Sequence, residues 1–181
     1  MSTALVVIDI QNDYFPGGKL IVEAADEAAA NAARLLADFR SHGRPVVHVQ
    51  HLTRRANAGF LMPGTAGAEI HAAVAPIGGE TVVVKHFPNS FRETTLLEEL
   101  HRVGARQLVV AGMMTHMCID TTVRAAFDLG FRVVLAHDAC ATRSLRFGET
   151  IVPAAQVHAS FVAALDGLFA EARRVADLVE S

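Results

Sequence analysis

The sequence predicts an α/β protein: a parallel sheet with helices on both faces. Two observations carry that prediction. Short apolar, β-branched runs alternate with longer segments of helical period along the whole chain. Each helical segment that ends before a strand ends at or near a glycine. With 181 residues the chain fits one domain, 1–181.

The elements follow in order. Residues 4–10 (ALVVIDI) read as a buried strand, and 11–19 (QNDYFPGGK) as a loop punctuated by Gly and Pro. Ala25–Ser41 reads as a helix with Ala29, Ala32, Ala33, Leu36 and Phe39 on one face and Gly43 as its stop. Residues 45–50 (PVVHVQ) form a second strand, and 51–68 a long loop of the kind that often carries function. A short helix is expected over 69–75. Thr81–Lys85 (TVVVK) is the third strand, with a helix over 94–103 closed by Gly104. Residues 107–111 (QLVVA) form the fourth strand, leading into a helix that runs to about 129. Residues 131–136 form the fifth strand and 137–152 are expected as loop. Pro153 suits the first position of a last helix reaching about 169. Segment 174–179 fits either a sixth strand or a helical tail.

Composition narrows the function classes. The chain is 51 % apolar and 19 % charged, which excludes intrinsic disorder. A net charge of −3 and no basic cluster exclude phosphate-backbone binding as the main activity, so no nucleic-acid partner is expected. No apolar run approaches a membrane span, and no leader pattern precedes the first strand. A soluble cytoplasmic protein is the expectation. Two cysteines, Cys118 and Cys140, are too few for a disulfide framework, and no Cys-x-x-Cys supports thiol redox. So apolar a composition leaves little polar material to cover a small domain, and a homodimer or homotetramer is expected.

Ligands of open α/β sheets bind beyond the carboxyl ends of the strands. Three such ends carry reactive side chains: Asp9, Lys85 and Cys118. A carboxylate, an ammonium and a thiol suit nucleophilic acyl transfer. The thiolate is the nucleophile, a Lys and a helix N-terminus lower its pKa, and a carboxylate can relay the proton to a leaving amine. Taken singly, each has a bland reading: a loop cap, a solvated strand end, a small buried hydrophobe. Phe15, Phe60, Leu61 and Phe91 sit in loops above the sheet and are candidate pocket walls. His51, His116 and Met117 are further pocket candidates.

The sequence resembles the isochorismatase-like cysteine hydrolases, the superfamily that includes nicotinamidases. The resemblance rests on LVVIDIQNDYF at 5–15, GTAGAEIH at 64–71, VVVKHFPNSF at 82–91, VVAGMMTHMCIDTTVRAAFDLGF at 109–131 and HDACAT at 137–142. It implies a Rossmann-like three-layer α/β/α sandwich with strand order 3-2-1-4-5-6. It also implies Asp9 as general base, Lys85 as the supporting cation and Cys118 as nucleophile. The backbone N–H groups of Met114 and Cys118 would form the oxyanion hole, after a cis Met113–Met114 peptide.

Where many nicotinamidases hold a metal on Asp-x-His and an upstream His, this chain has His51, Thr53 and Phe60 or a neighbour. No metal or cofactor is therefore expected, and nicotinamide is disfavoured. The resulting expectation is a hydrolase of a C–N, amide-like bond in a small molecule, working through a thioester. Two alternatives stand beside it. One is a vinyl-ether hydrolase of the isochorismatase kind, in which Cys118 is a bystander. The other is a non-catalytic small-molecule binding or interaction protein on the same fold.

Overall fold

A computed structural model of the chain describes residues 2–179. Strands β1 (Ser2–Ile8), β2 (Val46–His51), β3 (Thr81–Lys85), β4 (Ala105–Met113) and β5 (Arg132–Ala141) join a short β8 (Glu171–Arg173) in one sheet of order β3-β2-β1-β4-β5-β8. Every pairing in it is parallel. The expected order is observed, the sixth place being filled by β8. Segment 174–179 is neither of the forms expected: it holds a single 3₁₀ turn, Val175–Asp177.

Strand alternation builds two cores. Leu5, Val7, Val109, Ala111, Val134 and Ala136 face α1 (Ala25–Ser41) on one side of the sheet. Ala4, Val6, Ile8, Leu108, Val110 and Leu135 face the other, against α2 (Leu96–Arg102), α3 (Asp120–Asp128) and α4 (Ala154–Leu165). Both faces of β1 and β4 being covered, these strands read as unbroken apolar runs. α1 packs Ala28, Ala29, Ala32, Leu36 and Phe39 against the sheet, its small residues bringing the helix axis close. Each large side chain buried this way contributes roughly 1.5–3 kcal/mol.

Four elements depart from expectation. Segment 69–75 forms no helix; 3₁₀ turns occupy Ala66–Ala68 and Ala72–Val74, and Ile70 bridges to Gln11 instead. β5 continues through His137, Asp138 and Cys140, which the sequence reading leaves in loop. Gly112 and Met113 of β4 still pair with Cys140 and Ala141 after a register shift. Gly112 adopts φ +138°, and a Cβ there would collide with the Ile8 carbonyl of β1. Residues 145–152 contain a hairpin of β6 (Leu145–Phe147) and β7 (Thr150–Val152). Finally, α4 ends at Leu165, with Pro153 just before it as cap. No helix among the described residues is long and apolar enough to cross a membrane.

Candidate active site

β1 and β4 flank the point where chain direction around the sheet reverses, the crevice-forming place in such folds. Asp9 follows β1, its N–H bonded to Val49 O of β2 at 3.0 Å. It adopts φ +52°, a conformation Asp tolerates better than most residues but one that still costs energy. Cys118 lies on a five-residue π-helical turn, Thr115–Ile119, interposed between β4 and α3. The sequence places it at a helix start; the structure puts it within this wider-wound insert, a form frequent at functional sites. Met113–Met114 is cis.

Lys85 ends β3, two strands from β1 and in register with His51 of β2. Its long stem closes the gap: Nζ lies 2.8 Å from Asp9 Oδ2, and both side chains are fully buried. Nζ also donates to Pro88 O at 2.9 Å. The loop after β3 therefore fixes the ammonium. Asp9 Oδ1 has no hydrogen-bond partner among the described residues. A buried carboxylate oxygen without a donor is costly, and a functional site is where such a cost persists.

His51 joins the group. Its Nδ1 is 4.0 Å from Cys118 Sγ and 3.8 Å from Asp9 Oδ2. Gln11 holds this end of β2, accepting from His51 N at 2.8 Å and donating to His51 O at 2.9 Å and Ala68 O at 2.6 Å.

Charge follows from burial and neighbours. Burial pushes the Asp9 carboxyl up, but Lys85 and His51 together outweigh it and hold it below the usual value. Burial also opposes the Lys85 charge, and Asp9 and Cys118 reverse that, so the ammonium is held above its ordinary value. The sequence reading expects a Cys118 thiol lowered by Lys85 and a helix terminus. Instead burial and the Asp9 charge win over Lys85, and the thiol is pushed up to about 12. The resting site is a thiol beside an ion pair.

The other candidates divide. Leu61 is buried, its N–H bonded to Asp13 Oδ2 at 2.6 Å, and Phe60 packs half-buried against the α1-side core. Phe15 is also in that core and stacks on His71 at 3.8 Å. Phe91 is half-buried, stacks on Phe131 and packs against the core on the other face of the sheet, the one that includes Cys118. His116 points its Nδ1 at Thr142 Oγ1, 2.5 Å away, and meets Phe161 edge-on. Met117, one residue before Cys118, is 41 % exposed.

Sequence reasoning missed Gln11, Pro88 and Tyr14. Tyr14 is buried near the site, and burial together with Cys118, Asp9 and Asp13 drives its phenol well above 10. The polar QND run opening the first loop was the available signal for Gln11.

Ligand-type atoms of Asp9, His51 and Cys118 lie within 4.8 Å of one another, a donor set that zinc accepts. The 51–53 loop itself supplies only His51; Thr53 Oγ1 accepts from Arg55 N in a local turn. The Lys85 ammonium already neutralises Asp9 at 2.8 Å, which makes the cluster a poor host for a second cation.

The fold defines a Rossmann-like three-layer α/β domain. A model of the Isochorismatase domain matches residues 3–166, and the chain belongs to the isochorismatase family of hydrolases. It is 54 % identical over 170 residues to the uncharacterized isochorismatase family protein YddQ of Bacillus subtilis, covering 94 % of each chain. It is 31 % identical over 170 residues to the ureidoacrylate amidohydrolase RutB of Variovorax paradoxus, covering 76 % of this chain and 68 % of that one. The crystal structure of an isochorismatase hydrolase from Oleispira antarctica superposes with a TM-score of 0.95 at 49 % identity, covering 98 % of this chain and 95 % of that one.

Proposed function

We propose that the protein is a cysteine hydrolase that cleaves a C–N, amide-like bond of a small molecule through a thioester on Cys118. The observation that carries this reading is the buried thiol set against an ion-paired carboxylate with one unpartnered oxygen. The amidohydrolase relative supports the same bond type.

Asp9 accepts the Cys118 proton while sulfur attacks the carbonyl carbon. The carboxyl is held low and the thiol is up at about 12, so free transfer beforehand is steeply uphill. The proton therefore moves as the C–S bond forms. Asp9 then delivers it to the departing nitrogen as the C–N bond breaks. Lys85 keeps Asp9 ionised in a fully buried place and steadies negative charge on sulfur. The Met114 and Cys118 N–H groups receive the oxyanion.

A panel of small amides and ureas assayed for released ammonia tests this, with Cys118→Ser as blank. Release that depends on Cys118 supports the reading. A Cys118→Ala variant that retains full turnover on its best substrate rejects it and leaves the vinyl-ether or binding reading.

A further inference from the structure

We propose that His51 is a further catalytic residue of this site: the base that takes the proton of the attacking water when the Cys118 thioester is hydrolysed. The inference rests on the cysteine-hydrolase reading and assigns its second half-reaction.

Asp9 suits the first half-reaction better than the second. It is fully buried, ion-paired to Lys85 at 2.8 Å, and therefore shut away from solvent. Water must reach the thioester from the open side. His51 is 15 % exposed in its side chain, whereas Asp9 and Lys85 are not exposed at all. Among the described residues it is thus the partly exposed titratable side chain that touches both Sγ and the carboxylate. Its Nδ1 lies 4.0 Å from Sγ. A water attacking a carbonyl carbon bonded to Sγ falls within hydrogen-bond reach of an atom so placed.

The position is held rather than incidental. Gln11 clamps the His51 backbone on both its N–H and its C=O. Pairing of His51 with Lys85 across β2 and β3 fixes the register.

The step balances. The His51 Nδ1 lone pair accepts a proton from water as the water oxygen bonds to the thioester carbon. The C–S bond breaks, sulfur leaves with the electron pair, and His51 returns the proton to sulfur. The products are a carboxylic acid and the resting thiol. No co-reactant other than water is consumed.

The probe is p-nitrophenyl acetate, an acyl donor that needs no knowledge of the natural amide. Wild type, His51→Gln, His51→Asn and Cys118→Ser are compared for the nitrophenolate burst, the steady-state rate and acetyl retained on Cys118 by mass spectrometry. The expected result is a burst that stays stoichiometric in both His51 variants and slows far less than the steady rate. Steady turnover then falls by at least about 10²-fold, with acetyl-Cys118 accumulating. A merely structural role slows the burst equally, and that outcome overturns the inference. So does acetyl release from both variants at the wild-type rate. Decay of isolated wild-type acetyl-enzyme in heavy water is a readout independent of any variant's folding: a slowed decay is expected, and an unchanged one counts against a proton-transfer role. Failure of wild type to acetylate Cys118, or a burst unchanged in Cys118→Ser, rejects the cysteine-hydrolase reading itself and is recognisable as such.

Discussion

Replacing Lys85 by Met keeps the length and apolar volume of the stem and removes the one ammonium that neutralises Asp9. The carboxylate is fully buried, so it then has two courses. It can stay charged without Lys85, which for a broken buried pair costs about 3–5 kcal/mol. Or it can take up a proton and fold neutral. The second course limits the first. Protonating a group of ordinary value 3.8 costs about 4 kcal/mol at pH 7 but only about 2 kcal/mol at pH 5. The wild-type contribution of Asp9 has the opposite sign. Its folded value is lowered, so its stabilisation is present above 3.8 and lost only as pH falls through the lower folded value. In the variant the folded value is raised, the native state binds the extra proton, and stability declines as pH rises. The difference between wild type and Lys85→Met should therefore shrink by about 2 kcal/mol between pH 7 and pH 5. Urea unfolding at several pH values measures it. A difference that is constant, or that grows toward acid, refutes the claim that Lys85 holds a buried carboxylate ionised.

Asp9→Asn keeps the left-handed backbone tolerable while abolishing proton transfer, so turnover on any amide found should fall by about 10²–10⁴-fold; an unimpaired variant excludes Asp9 as the proton carrier. Both thiols are pushed up to about 12, so iodoacetamide should modify each slowly near neutrality. Cys118 should lead as pH rises, whereas prior modification of Cys140 counts against the site as drawn. Activity should survive chelators, because Lys85 already occupies the cationic place beside Asp9; stoichiometric zinc on Asp9, His51 and Cys118 in purified protein contradicts this. The hairpin leaves Phe147 87 % and Ile151 59 % exposed, an apolar display that fits contact between copies of the chain. Light scattering should give a mass above one chain that drops in Phe147→Ser; a monomer at micromolar concentration speaks against it.

The sheet was legible because buried parallel strands have no polar face, and a run such as QLVVA admits few other readings. Segment 145–152 is expected as loop although it carries a hairpin signal. Gly148-Glu149 is a two-residue turn between short alternating runs, and Gly148 takes φ +57°. β5 outran its apolar run because His137 and Asp138 interrupt the pattern while the backbone goes on pairing with β4. Loop aromatics were ambiguous in principle: Phe91 and Phe15 each bury against a core, a fate that composition does not distinguish from lining a pocket.

The chemistry shows the same divide between residue type and environment. Asp9, Lys85 and Cys118 stand out in sequence because each is a reactive group at the end of an apolar strand. What the thiol does with its proton depends on something else, the balance of burial against one neighbouring ammonium, and here burial prevails. His51 is the sharper case. In sequence it is a leftover at a position where relatives with metal carry a ligand. In the fold it ends β2, paired with Lys85, one strand from Asp9, with its backbone clamped by Gln11. Successive strand residues point to opposite faces, so a slip of one residue in that pairing would present Leu52 to the thiol instead. A side chain's chemistry at a strand end is therefore set by register, and register is fixed by hydrogen bonds from residues forty positions away in the chain.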